Sequence, residues 1–230
     1  MNSFASFLRH LLTAVVCAAV LVSPAHAYPS QEWRFNVLLD NKPIGQHRFR
    51  LKLESDHQVL QSEADYNIRI LGFSVFRYQH VATERWEGGC LTDIQSRTDH
   101  NGEVSVLEGR RNNAGFMLSN PNGETTLAGC IMSFAYWNPA ILTQPSLLNA
   151  QTGDYLPIRV QDMGSDSLAL ANSEVMAKRY RLITSKFSID LWYGSNNEWL
   201  ALETRTEGGR LLRYVIDPAY YSLNRKNHYA

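Results

Sequence analysis

The sequence predicts an all-β fold: a strongly curved antiparallel sheet or incomplete barrel of roughly a dozen strands, filled by an irregular or short helical plug. Three observations predict it. Most of the chain alternates apolar and polar residues with the period of two that half-buried strands have. Turn sequences such as Asp40-Asn41 and Asn120-Pro121 separate the alternating runs. One stretch, residues 133–153, breaks the alternation. A two-sheet β-sandwich is the alternative architecture.

The alternation is clearest in residues 60–70, where Ser62, Ala64 and Tyr66 share one face and charged or amide side chains take the other. Residues 75–87 follow the same rule. Their shared face carries Phe76, Tyr78, His80, Ala82, Glu84 and Trp86. Because each strand then has one apolar and one polar face, an open sheet must curl onto itself or be covered.

Other segments repeat this pattern along the whole chain. Short connections between successive strands favour antiparallel pairing. A turn is predicted at residues 162–165. The remaining predicted strands are residues 33–39, 45–54, 91–98, 104–109, 115–119, 124–127, 155–161, 167–171, 177–184, 187–193, 199–206 and 210–216.

Residues 133–153, SFAYWNPAILTQPSLLNAQTG, form the longest interruption of the strand pattern. The stretch opens with Phe134, Tyr136 and Trp137 and is broken at two prolines. If exposed, its apolar side chains would form a patch that soluble monomers rarely tolerate. We therefore predict that it folds back against the apolar face of the sheet, with a helical turn near residues 133–137.

Residues 1–27 have the composition of a cleavable signal peptide. Arg9 lies in a short basic start, residues 11–22 are apolar, and the stretch from Ala25 to Ala27 is an A-x-A cleavage signal. The apolar run is too short to span a bilayer. The sequence therefore predicts export to the periplasm, with cleavage after Ala27.

The predicted mature protein is a single β domain, residues 28–216, followed by a loose tail, residues 217–230. The whole chain has 22 Lys and Arg residues and 22 Asp and Glu residues. This balance gives no reason to expect nucleic acid or an anionic membrane surface as a partner. No later apolar run has the length of a transmembrane helix, so no transmembrane segment is predicted.

Two cysteines, Cys90 and Cys130, remain after the predicted cleavage. In an oxidising compartment an isolated pair favours a disulfide over a metal or catalytic site. Each cysteine follows a glycine, as expected at strand ends. The alternative is two separate buried thiols.

The sequence lacks the familiar catalytic motifs: G-x-S-x-G, H-E-x-x-H, the phosphate-binding loop and G-x-G-x-x-G. It therefore gives no positive reason to expect an enzyme, although a site assembled from distant residues stays open. No cofactor is expected. His47 lies among apolar residues, and His57, His100 and His228 fall in predicted turns or the tail, so no metal site is predicted either.

His80 and Glu84 are the strongest polar candidates for a binding site. They share a strand face but lie about 13 Å apart along the strand, so they cannot pair directly. An acid–base role would need a partner from a neighbouring strand. The alternative is that each is a half-buried polar group satisfied by a cross-strand hydrogen bond.

The aromatic and amide side chains of residues 133–153 are further candidates for ligand contacts. They could instead be core aromatics and amides that hold an irregular loop through its backbone. The predicted ligand-binding residues are Tyr78, His80, Glu84, Tyr136, Trp137, Asn149 and Gln151.

Five short motifs give the chain a family resemblance. They are D-N-K-P-I-G at residues 40–45, E-R-W-E-G-G-C-L at 84–91, S-F-A-Y-W-N-P at 133–139, L-L-N-A-Q-T-G at 147–153 and L-R-Y at 212–214. Together they resemble a family of exported proteobacterial proteins known only as a domain of unknown function. The resemblance implies a periplasmic, β-rich domain and brings no activity, cofactor or catalytic residue.

We predict from these observations a non-enzymatic periplasmic binding or carrier protein for an amphiphilic or lipid-like ligand. At the level of fold alone, a curved sheet is similar to the half-barrel carriers that move lipoproteins across the periplasm. The alternatives are a hydrolase or isomerase that uses His80 or Glu84, and an envelope assembly or scaffold protein. An open aromatic cavity would favour the carrier, and a dry interior would favour the scaffold.

Overall fold

The computed structural model describes residues 30–70, 73–170, 173–217 and 219–220. Within these residues, thirteen antiparallel strands form a single sheet and two short strands form a separate pair. The predicted all-β fold class is confirmed. The predicted signal peptide and nearly all of the predicted tail lie outside the described residues. The strands are β1 (Ser30–Leu39), β2 (Lys42–Glu54), β3 (His57–Ile70), β4 (Phe73–Glu87), β5 (Cys90–His100), β6 (Glu103–Asn112), β7 (Gly115–Asn120), β8 (Gly123–Leu127), β9 (Ser146–Leu148), β10 (Tyr155–Pro157), β11 (Arg159–Leu170), β12 (Ser173–Ile183), β13 (Ser188–Tyr193), β14 (Trp199–Arg205) and β15 (Leu211–Ile216).

The sheet consists of two meanders, β1 to β8 and β11 to β15, which pair with each other through β1 and β15. The strand order is β11-β12-β13-β14-β15-β1-β2-β3-β4-β5-β6-β7-β8, so β15 pairs with β1. In the described part of the chain, the sheet ends at β8 and β11 and does not close into a barrel. β9 and β10 form the separate pair, in the long connection between the two meanders.

Alternation in the sequence becomes the two faces of the sheet. In β1, Trp33, Phe35 and Val37 are buried, while the residues between them are exposed or half-buried. The β1–β2 hairpin turns at Asp40 and Asn41, whose φ angles of 48° and 65° lie in the left-handed region. Asp and Asn tolerate that region better than most residues, as two-residue hairpin turns require.

β11 differs from the prediction of two strands separated by a turn at residues 162–165. The strand is continuous, and its pairing with β12 shifts register between Asp162 and Ser165. Gly164 takes the left-handed region with φ 85°, and its N–H donates to the Asp162 carboxylate at 2.8 Å. The turn-like sequence therefore makes a β-bulge, because pairing with β12 continues on both sides of it.

The plug segment, residues 133–153, contains a short helix six residues later than predicted. No helical turn forms at residues 133–137; a 3₁₀ helix spans Pro139–Thr143 instead. The Asn138 side chain accepts a hydrogen bond from the Ala140 N–H at 3.0 Å, and Pro139 occupies the first helical position. This capping residue and this proline start a helix at Asn138 rather than before it.

The plug segment packs against the inner face of the sheet and joins the same buried core as both meanders. The Phe134 N–H donates to the Leu148 carbonyl at 3.1 Å, which ties the two ends of the segment together. The Tyr193 hydroxyl donates to the Tyr136 carbonyl at 2.8 Å. Ile141 is 0 % exposed. These contacts confirm that the segment folds back on the sheet.

A disulfide joins Cys90, the first residue of β5, to Cys130, just before the plug segment. The two Cα atoms are 5.2 Å apart. Beside it, the Leu91 N–H donates to the Ile131 carbonyl at 2.8 Å. The predicted disulfide is therefore confirmed, and it anchors the start of the plug segment to the sheet.

Candidate ligand-binding site

A cavity of about 560 Å³ lies between the plug segment and the inner face of the sheet. Side chains of β2, β3, β4, β13, β14 and β15 line it from the sheet side. Phe134, Tyr136, Trp137 and the stretch from Asn149 to Thr152 line it from the plug side. Its volume falls within the range of small-molecule sites in proteins.

Short side chains make the floor of this cavity. Ser62, Ala82 and Ser96 lie opposite one another on β3, β4 and β5. All three are buried, and Ser62 and Ala82 line the cavity directly. Large residues on this inner face would have filled the space with side chains. The sequence of the sheet therefore leaves a gap that the plug segment covers without filling.

His47 is the centre of a buried hydrogen-bond cluster on one side of the cavity. Its Nε2 lies 2.7 Å from the Ser62 hydroxyl, and its Nδ1 lies 3.1 Å from the Tyr214 hydroxyl. The Tyr66 hydroxyl lies 2.5 Å from that of Tyr214. Burial, and then the neighbouring His80, lower the pKa of His47 well below its ordinary value. The imidazole is therefore neutral near pH 7, and its Nε2 can accept a hydrogen bond from the Ser62 hydroxyl or donate one to it.

His80 faces the cavity in the same cross-strand row as His47, with Ala64 between them. Its Nδ1 lies 2.9 Å from the Thr98 hydroxyl on β5. Burial lowers the pKa of His80 to about 4. This histidine is therefore also neutral near pH 7. No carboxylate among the described residues forms a hydrogen bond with it.

Glu84 is a carboxyl group buried at the cavity wall, with 4 % of its surface exposed. Its Oε2 accepts hydrogen bonds from Trp86 Nε1 and from the Ser133 hydroxyl, both at 3.1 Å. Burial raises the pKa of Glu84 to about 7, although both hydrogen bonds favour the charged form. The carboxyl group therefore carries its proton for part of the time at neutral pH.

Charged side chains line the rim of the cavity. Lys186 pairs with Asp154 at 2.7 Å, and the Lys186 side chain is 56 % exposed. Arg205 and Glu207 line the same rim and are also exposed. Inside the rim, the titratable side chains are Glu84, two histidines and two tyrosines. The site thus combines aromatic and mostly uncharged polar side chains within and charged side chains at its edge.

Six of the seven residues predicted to bind a ligand line this one cavity. They are His80, Glu84, Tyr136, Trp137, Asn149 and Gln151. Tyr78 lies outside the lining, where its ring stacks on Tyr66 with centroids 5.1 Å apart. Asn149 also supports its loop, because its side chain accepts from the Gln151 N–H at 2.9 Å. Whether these residues bind a ligand stays a prediction.

Sequence reasoning missed His47, Ser62 and Ser133 as members of the site. A lone histidine on an apolar strand face, as His47 is, favours a residue at the edge of the core over a site. Its partners Ser62 and Tyr214 lie far from it in the sequence, and only strand pairing brings them together. One available signal was the run of small residues on the inner faces of β3 and β4, since small inward residues leave room for a ligand.

A second concavity, of about 520 Å³, lies over β5 to β8. Polar groups line it, including the exposed Arg110 and the half-buried Asp93, which form an ion pair at 3.1 Å. It has no buried polar group without a partner, so it is the weaker candidate. Among the described residues, no cluster of three or more His, Cys, Asp or Glu side chains could hold a metal ion. None of the helical segments that the structure describes has the length and hydropathy of a bilayer-spanning helix.

Comparison with known proteins agrees with this architecture. The crystal structure of a β-barrel-like protein of a different domain of unknown function, DUF1849, from Brucella abortus, superimposes with a TM-score of 0.60. The match covers 84% of this chain and 97% of that chain at 8% sequence identity, so it shows the fold alone. No curated protein matches the sequence. A family described as a domain of unknown function, DUF6134, matches residues 35–217, and the chain therefore belongs to that family.

Proposed function

We propose that this protein is a non-enzymatic carrier that binds an amphiphilic, lipid-like ligand in the cavity beneath the plug segment. The observation that carries the proposal is the cavity itself, about 560 Å³ between an aromatic plug segment and a floor of small residues. An interior of aromatic and apolar side chains with a few polar groups suits a molecule with an apolar body and a polar group. A scaffold protein would be expected to have a filled interior.

Blocking the floor of the cavity tests this proposal. Ala82→Leu adds a branched side chain that projects into the cavity from β4. The matched control is Thr83→Leu, the same leucine on the exposed face of the same strand. The wild type and the control should bind N-phenyl-1-naphthylamine, an uncharged fluorescent probe, and Ala82→Leu should not. Absence of probe binding by the folded wild type would reject the carrier function.

Mass spectrometry of protein purified from its native compartment gives a second readout. A bound amphiphile should co-purify with the wild type and with Thr83→Leu, and it should be depleted from Ala82→Leu. Equal amounts in all three would show that the molecule sits elsewhere.

A hydrolase is the second candidate, and the 2.7 Å contact between His47 Nε2 and the Ser62 hydroxyl favours it. A serine held by a histidine, which a third group orients, is the arrangement of an activated nucleophile. Tyr214 would be the orienting group. A fluorophosphonate probe should then label Ser62 in the wild type and fail to label His47→Gln. Labelling that is absent, or that persists in Ser62→Ala, would reject this candidate.

We also propose that the protein is exported to the periplasm. A disulfide between Cys90 and Cys130 is compatible with an oxidising compartment. The signal-peptide prediction adds the expectation that the mature chain begins at Tyr28. N-terminal sequencing of protein from the native host tests this, and a mature chain that retains residues 11–22 would contradict it.

A further inference from the structure

Two hydrogen-bonding groups of residues that line the cavity have no partner among the described residues. Both Glu84 hydrogen bonds go to Oε2, and Oε1 receives none from the described residues. Trp137 also lines the cavity, and its Nε1 N–H is buried without an acceptor in the part of the chain that the structure describes. A buried N–H without a partner is unfavourable, and in a residue that lines a cavity a bound acceptor would satisfy it.

Trp86 contacts both Glu84 and Trp137. Its Nε1 donates to Glu84 at 3.1 Å, and its ring packs edge-to-face on Trp137 with centroids 5.7 Å apart. Trp86 is 1 % exposed, so packing fixes it between them. Glu84 and Trp137, which both line the cavity, are therefore joined through one fixed Trp86 side chain.

We propose that this pair recognises an uncharged hydrogen-bond acceptor on the ligand, such as the carbonyl group of an ester or amide, rather than a carboxylate. A carbonyl oxygen has two lone pairs and can accept from Glu84 Oε1 in its protonated form and from Trp137 Nε1 together. The inference rests on the proposed carrier function and names the ligand class for that cavity.

The charges around the pair exclude an anionic head group at this position. The described titratable or charged side chains that line the cavity with Glu84 are His47, His80, Tyr136, Asp154, Lys186, Arg205, Glu207 and Tyr214. Both histidines are held neutral by burial. Lys186 pairs with Asp154, and Arg205 lies at the exposed rim. A carboxylate beside Glu84 would therefore lose its hydration without gaining a cation.

Competition between two ligands of equal chain length tests the inference. 1-Lauroylglycerol and laurate are used to displace N-phenyl-1-naphthylamine at about pH 6, where Glu84 keeps its proton. The ester should displace the probe at a concentration about tenfold lower than laurate. At about pH 8.5 the affinity of the ester should fall several-fold, because the carboxyl group can then no longer donate.

Three variants assign these effects to the pair. Glu84→Gln keeps a donor in its amide and should bind the ester with no pH dependence, whereas Glu84→Leu should weaken it about tenfold. Trp137→Phe keeps an aromatic ring, loses the N–H and should weaken binding of the ester several-fold. Trp33→Phe is the matched control, because Trp33 Nε1 is also buried without a partner but lies outside the cavity lining. That variant should bind the ester like the wild type.

The outcomes separate this inference from the carrier function. If the folded wild type binds no probe, the carrier function fails and the inference fails with it. If the probe binds but laurate competes as well as the ester, the inference alone is overturned. The same holds if Glu84→Leu and Trp137→Phe bind the ester as tightly as Trp33→Phe does.

Discussion

Glu84→Gln should change the pH dependence of folding stability by a predictable amount. Burial raises the pKa of this carboxyl group from 4.5 to about 7 in the folded protein. A group with a raised pKa contributes its stability fully below the unfolded pKa and loses it as pH rises through the folded pKa. The window is therefore roughly pH 4.5 to 7, and the wild type should lose stability across it relative to Glu84→Gln, which does not titrate.

The magnitude follows from the shift between these two values. Each pKa unit corresponds to about 1.4 kcal/mol, so the shift is worth about 3 kcal/mol. His80 contributes with the opposite sign, because burial lowers its pKa to about 4 and stability rises with pH as the unfolded state loses its proton. This contribution is common to both proteins, so it cancels in the difference between wild type and variant.

Urea denaturation followed by tryptophan fluorescence, at several pH values from about 4 to 8.5, measures the effect. The free energy of unfolding of Glu84→Gln minus that of the wild type should rise by about 3 kcal/mol between the ends of this range. Glu108→Gln is the control, since Glu108 is exposed on β6 and its difference should stay nearly flat. A flat difference for Glu84→Gln as well would show that the carboxyl group is solvated or charged in the folded protein.

Three further predictions concern the plug segment and the buried tyrosines. Replacing both disulfide cysteines by serine should lower the free energy of unfolding by about 4 kcal/mol or less, given a sequence separation of 40 residues; an unchanged urea midpoint would contradict this. Trp199 is 0 % exposed, so Trp199→Ala should lower the free energy of unfolding by about 3–5 kcal/mol. Trp137 faces the cavity, so Trp137→Ala should lower it by less. Equal losses, without a change in probe binding, would make the segment a plug only. Tyr78→Phe removes a buried hydroxyl that has no partner among the described residues, so it should stabilise the folded protein by about 1 kcal/mol. Tyr66→Phe breaks hydrogen bonds and should destabilise it. Calorimetry that finds the reverse order would refute both assignments.

Local sequence patterns were sufficient to predict those structural features that have a local physical cause. Alternation in residues 60–70 and 75–87 identified the inward faces of β3 and β4, because successive side chains of a strand point to opposite sides. The same reasoning failed at residues 162–165, where turn-forming residues sit inside a continuous strand. Pairing with the neighbouring strand β12 decided that outcome, and the local sequence pattern contains no information about that strand.

The sequence by itself determined the all-β class, the Cys90–Cys130 pairing and the return of the plug segment to the sheet. The all-β class and the return of the plug segment depend on the burial of apolar surface. The disulfide depends on the small number of cysteines available to pair. Only the tertiary structure decided that His47 meets Ser62, that Ser133 meets Glu84, and that a cavity remains between them. Such contacts depend on strand register and on the path of an irregular segment, where a shift of one residue turns a side chain to the other face of the sheet.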